Sequence, residues 1–176
     1  PPVLYDNGIR SVCLDKSGNL WVATVSGLNR MRPGQERFDF LDEKDGIPTG
    51  TNYMCVRQTR GGTIWLADFS DTGHHYLLPG ETRFRAIKDH PVLAPYADCY
   101  GHSIFEDSRR RLWFGLDGLG LVFYDSAQQQ ARHWRRTPEN DTTLVGNFVN
   151  SITETPDGTI WAATHVGLSA IDPNTF

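Results

Sequence analysis

The residues best suited to chemistry stand in "ADFSDTGHHY", where His74 and His75 follow Asp68 and Asp71. Imidazole and carboxylate together suit zinc or a harder divalent ion. Adjacent side chains on a strand point to opposite faces, however, so the two histidines do not converge on one ion. Ordinary loop polarity is the expectation for this stretch, and no metal site is expected. An Asp box would place Asp, one spacer, Gly, two spacers and Trp in a hairpin. Here Asp157 abuts Gly158, and Lys16 holds the place of the aspartate in the first such turn. The box is absent, and glycoside hydrolysis would also need paired carboxylates. There is no G-x-S-x-G, H-E-x-x-H or G-x-x-x-x-G-K. No catalytic residue and no cofactor is expected. His102 and His165 remain isolated candidates for a base, each lacking an evident partner acid.

Other reactive or charged features are dispersed. Cys13, Cys55 and Cys99 lie far apart with no C-x-x-C, so neither a zinc site nor a redox pair is signalled. Arg109-Arg110-Arg111 and the run from Arg132 to Arg136 are expected to be solvated surface, with Trp134 the exception as an indole able to dock a partner or a saccharide. Lys+Arg 17 against Asp+Glu 21 gives a formal charge of -4, which argues against a sequence-independent nucleic-acid surface. No apolar run reaches the 18 or so residues of a membrane span, so no direct membrane insertion is expected. The start at Pro1-Pro2, without a basic and apolar leader, suggests a processed or excised piece.

The elements that must hold these residues repeat. Trp21, Trp65, Trp113 and Trp161 are spaced by 44, 48 and 48 residues, in "SGNLW", "GGTIW", "RRRLW" and "DGTIW". Nine residues before them stand Val12, Val56, Ile104 and Ile152, and two after them Ala23, Ala67, Gly115 and Ala163. Each unit divides into short strands separated by Gly- and Asp-rich turns, with no sustained helical period. Four short strands recurring at this interval are the arithmetic of a β-propeller blade. The fold class is therefore all-β: about four four-stranded antiparallel units, over residues 9–41, 53–87, 100–136 and 149–176, forming part of a larger propeller. Residues 1–8 are expected to supply a fourth strand to a neighbouring or closing blade, through Val3-Leu4-Tyr5. The four repeat tryptophans are expected to be buried struts between blades. A repeat unit buries its face only against a neighbour, so the chain is expected to close on itself or self-associate.

"SVCLDKSGNLWVATVSGLNRM", "SIFEDSRRRLWFGLDGLGLVFYD" and "SITETPDGTIWAATHVGLSAID" resemble the two-component regulator propeller repeat, with its aliphatic-Trp pair, small residue and Thr-x-x-Gly-Leu. The second unit departs from that pattern with "DFSDTGHHYLL" and the third with "LDGLGLVF". The resemblance implies the periplasmic sensor region of a bacterial hybrid histidine kinase or diguanylate-cyclase receptor, responding to a glycan or another nutrient.

Rigid scaffolds place recognition on their connections. The long links from the last strand of one unit to the first of the next carry Asn52, Tyr53, His90, Tyr96, Asp98, Tyr100, Asn140 and Asn147. Tyr96, Tyr100, His90 and Asn147 are the expected contacts to a small molecule or oligosaccharide, because aromatic faces and amides suit sugar rings and hydroxyls. The expected function is thus non-catalytic sensing, and the alternative is a propeller-type lyase or glycan-processing enzyme using His102 or His165.

Overall fold

In the computed structural model, residues 4, 6–137 and 144–173 are described, and the chain divides into two compact units, 1–100 and 101–176. Asn140 and the proposed Val3-Leu4-Tyr5 strand, apart from Leu4, lie outside the described residues. The first unit holds two antiparallel meanders. Blade 1 is β1 (Ile9–Leu14), β2 (Leu20–Thr24), β3 (Gly27–Met31) and β4 (Asp39–Phe40). Blade 2 is β5 (Tyr53–Gln58), β6 (Ile64–Asp68), β7 (His75–Leu77) and β8 (Arg85–Ala86). In the second unit, blade 3 is β9 (Gly101–Glu106), β10 (Leu112–Leu116), β11 (Gly120–Asp125) and β12 (Gln130–Trp134). Blade 4 shows three strands among the described residues, β13 (Val149–Glu154), β14 (Ile160–Thr164) and β15 (Gly167–Ile171). The all-β propeller expectation holds.

The turn between the first two strands of each blade needs one residue at positive φ. Gly18, Gly62 and Gly158 supply it at 82°, 94° and 87°, as glycine does without steric cost. In blade 3 Arg110 takes the same place at 66°. Pairing then fixes which side chains share a face: Cys13, Trp21 and Arg30 stand opposite one another, as do Phe105, Trp113 and Phe123. The alternate positions, Val12 and Val22 in blade 1 or Ile152 and Ala162 in blade 4, form the other face.

Within each unit the tryptophan face of one blade meets the Val/Ile face of the next. Trp21, Ala23 and Leu28 pack with Val56, Ile64, Leu66 and Leu77, and Trp113, Leu121 and Phe123 pack with Ile152, Ile160 and Ala162. Turn-to-turn bonds add to this packing: Lys16 Nζ donates to the Arg60 carbonyl at 2.5 Å, and Ser108 donates through both N–H and Oγ to Glu154 at 2.7 Å. Trp21, Trp65 and Trp113 are buried. Trp161 is only half-buried, contrary to the expectation for all four.

Two further sequence expectations need correction. Trp134 is not a free docking indole: it is half-buried, stacked on Trp113 at 5.9 Å between centroids and edge-on to Phe123. Arg111 is not solvated surface like Arg109 and Arg110. It is buried, its Nε 2.7 Å from Asp107 Oδ2 and its guanidinium over the Phe123 ring.

Candidate functional site

The first strand of every blade slips register once. Arg10, Met54, His102 and Asn150 each stand at the shift, bulged between neighbours that keep their cross-strand register. Such a bulge re-aims one side chain. The four bulges occupy one repeat position, two residues before Val12, Val56, Ile104 and Ile152, and sequence alone gave no sign of them because register is not written in residue type.

In the first unit the loop after β6 carries a polar network. Asp68 is buried, and its carboxylate accepts from Ser70 Oγ at 2.6 Å, Thr72 Oγ1 at 3.1 Å and the Gly73 N–H at 2.8 Å. Burial raises its pKa despite these bonds. The Asp68 N–H donates to His74 Nδ1 at 2.9 Å, which places the ring proton of neutral His74 on Nε2. His75 Nδ1 lies 3.0 Å from the Tyr53 hydroxyl, whose own pKa is pushed up mainly by desolvation. Both histidines are held down to about 4, chiefly by burial, with His75 adding to the effect on His74. Ordinary loop polarity thus describes exposed Asp71 and Thr72, but not Asp68, His74 and His75, which are buried. The connection over 87–100 packs on this segment, with the Ile87 N–H donating to the His74 carbonyl at 2.8 Å. The two imidazoles serve different partners, as the strand argument requires, and no group of three or more His, Cys, Asp and Glu among the described residues is placed to hold a metal ion.

Of the four expected contact residues, three lie in or beside that connection. Tyr100 is exposed, its ring 5.1 Å from Phe69 and its hydroxyl donating to Asp71 at 2.8 Å. Tyr96 ends a short 3-10 helix, Ala94–Tyr96, and is half-buried, its pKa raised by burial and then by Cys99. His90 is buried beside Trp65 and Tyr76, and its Nδ1 accepts the N–H groups of Val92 and Leu93. Its ring therefore shapes the connection. Tyr53, from the wider set, lies buried in β5. Asn147 belongs to the second unit, where its Oδ1 accepts the Arg136 N–H and its carbonyl accepts from Gly120.

The second unit presents its own pair of contacts. The bulged His102 brings Nε2 to 3.7 Å from Asp117 Oδ2, both side chains partly exposed. Exposed Phe148 meets the edge of His165 at 4.6 Å between centroids. Sequence reasoning weighed Asp71 only as a metal ligand and passed over Phe69, Asp117 and Phe148, although their places on inter-strand connections were visible.

Successive antiparallel meanders, stacked within each unit by unlike faces, define a segment of a β-propeller. Residues 6–26 and 143–165 match the family described as two component regulator propeller. Its fold is similar to the extracellular domains of two proteins of B. thetaiotaomicron described as hybrid two component systems. One shares 18% identity at a TM-score of 0.77 over 96% of this chain and 22% of that one. The other shares 17% at 0.75 over 98% and 23%. It is also similar to a catalytically inactive virginiamycin B lyase from Staphylococcus aureus with quinupristin, at 14% identity and a TM-score of 0.62, over 99% of this chain and 59% of that one. No curated protein matches. The chain thus spans less than a quarter of those two extracellular domains, and at these identities the likeness is one of fold. No helix among the described residues is long and apolar enough to cross a membrane.

Proposed function

We propose that this chain is a non-catalytic recognition segment of a periplasmic sensor, binding a glycan or other hydroxyl-rich nutrient and contributing to a signal relayed elsewhere in a longer protein. One observation carries the reading: Tyr100 presents an exposed aromatic ring braced by Phe69, with the Asp71 carboxylate at its hydroxyl. A flat ring beside a hydrogen-bond acceptor matches the apolar face and hydroxyl edge of a sugar. The repeat family and the extracellular neighbours support placing that surface outside the cytoplasm. A thermal-shift screen against oligosaccharides tests it, because a ligand that binds only the folded state raises the melting temperature with RT ln(1 + [L]/Kd). Tyr100→Ala and Asp71→Asn are expected to abolish the shift produced by any hit. A shift that survives both places the site elsewhere.

A second reading, a lyase or glycan-processing enzyme, is favoured by the His102–Asp117 pair. An imidazole beside a carboxylate is one way to build a base. Turnover of a candidate substrate that is lost in His102→Ala would replace the sensing reading. Turnover retained in that variant would exclude this pair as its base.

A further inference from the structure

Blade 2 carries a cleft along β8 and the turn before it, lined also by Gly46 of the connection from blade 1 and by Asp89. Its volume of about 710 Å³ falls within the range of small-molecule sites. Its walls come from residues 46–89, all inside the first unit and away from both ends of the chain. Two guanidinium groups line it, and they differ. Arg85 is satisfied: its Nε lies 3.0 Å from Glu81 Oε2, and its Nη2 bonds Oε1 of the same carboxylate. Arg83 is pinned without a carboxylate. Its Nη1 donates to the Lys44 carbonyl at 2.9 Å, and its stem lies against Gly46, where a Cβ would stand 3.1 Å from Arg83 Cγ. Among the described residues no acidic side chain lies within ion-pair distance of Arg83, and none takes its Nε or Nη2 donors. Tyr76, buried and stacked on Trp65, gives the cleft an aromatic wall. The exposed Asp89 carboxylate likewise accepts from no described residue.

We propose that this cleft binds a small hydroxylated carboxylic acid, of the sugar-acid kind, with Arg83 taking its carboxylate. A guanidinium recognises a carboxylate through two parallel N–H···O bonds. Arg85 already makes that fork with Glu81, and Arg83, two residues earlier, holds the same donors unused. Its anchorage at Lys44 and Gly46 lowers the cost of binding, because a side chain already held loses little rotamer freedom when a ligand arrives. The Tyr76 ring suits the carbon frame of the ligand, and Asp89 can accept from its hydroxyls. Glu81 does not oppose the acid as a bare charge would, since Arg85 occupies both its oxygens. A second acid group on the ligand would meet Asp89, so a monoanion is preferred. None of these residues belongs to the Tyr100 and Asp71 locus, so this site is independent of the sensing reading.

Calorimetric titration of the chain at low ionic strength tests it, with glucuronate as the probe, glucose as its uncharged counterpart and sulfate as a bare oxyanion. Glucuronate is expected to bind about tenfold or more tightly than either, the size of a hydrogen bond to a charged group. Arg83→Gln is expected to weaken glucuronate by about the same factor. Arg83 also holds the Lys44 carbonyl, so Thr82→Trp gives a second comparison. Thr82 is exposed on the cleft wall and its hydroxyl bonds no described residue, so the indole fills the space without removing a contact. It should weaken glucuronate likewise, while Tyr100→Ala leaves the affinity unchanged. No binding of glucuronate, equal binding of glucose or sulfate, or an affinity that survives both Arg83→Gln and Thr82→Trp would each overturn the inference. Loss of binding in Tyr100→Ala alone would move the acid to the other locus and overturn it as well.

Discussion

The indole N–H of Trp21 donates to the Asp15 carboxylate, 2.8 Å from Nε1 to Oδ2, and Trp113 repeats the bond to Asp107 at 3.0 Å. Each acceptor lies six residues before its indole, in the turn between the first two strands. Asp15 also accepts the N–H groups of Ser17 and Asn19, and Asp107 those of Arg109 and Arg111. One carboxylate therefore closes the turn and orients the ring that packs against the next blade. In blade 4 the place is taken by Thr155, whose Oγ1 accepts from Trp161 at 3.3 Å.

These bonds differ in what their loss leaves behind, so their removal should be ranked. Asp107→Ala strands a buried Arg111 without its counter-charge, which costs about 3–5 kcal/mol. Asp15→Ala leaves neutral donors unsatisfied, at about 1–3 kcal/mol. Thr155→Ala should cost least, under about 1 kcal/mol, because the half-buried Trp161 indole can turn to water. Urea titrations followed by tryptophan fluorescence give the order. Equal losses at Asp107 and Thr155 would mean that the Arg111 pair adds nothing.

The blades were legible in sequence because the Val/Ile, Trp and Ala/Gly positions recur at one register, and a pattern written four times survives local exceptions. The indole acceptors share a register too, since Asp15, Asp107 and Thr155 each stand six residues before their tryptophan, but that register was not read from the sequence. The candidate site was read less well. Tyr100 reached the surface, but His90 went under Trp65 and Tyr76, and His74 and His75 went under the 87–100 connection. Burial of a loop depends on which other segment folds over it, and nothing periodic in those residues says so. Trp134 misled for the same reason, since its partner Trp113 is set by the pairing of β11 with β12.

Arg110 offers a test of the turn itself. Its φ of 66° is the conformation that glycine supplies in the other three blades, and an L side chain there bears a cost of about 1–2 kcal/mol. Replacement by glycine removes that strain but gives the unfolded chain more freedom, worth about 0.5–1 kcal/mol. Arg110→Gly is therefore expected to stabilise the protein by about 0.5–1 kcal/mol in a denaturant titration, whereas Arg110→Ala keeps the strain and should gain nothing. Destabilisation by glycine would assign the arginine side chain a contact that outweighs its backbone.

The buried imidazoles predict how stability depends on pH. His74 and His75 titrate near 6.5 when unfolded and are held to about 4 in the fold, mainly by desolvation. Below pH 6.5 the unfolded chain takes up protons that the folded chain refuses, so stability is complete above that pH and falls as pH drops toward 4. Each histidine contributes at most roughly 3 kcal/mol over that range. His90, also lowered by burial, acts with the same sign. Asp68 acts against them: its raised pKa means that the fold holds a proton more tightly than the unfolded carboxyl does, which favours the fold as pH falls through its raised value. The Tyr53 hydroxyl beside His75, its pKa raised by desolvation, stays neutral throughout this window. Urea midpoints measured from pH 7.5 down to 4.5 should fall steadily, and His74→Asn with His75→Gln should flatten most of the slope, leaving the smaller share of His90. A slope unchanged in the double variant would show that acid sensitivity arises outside this cluster.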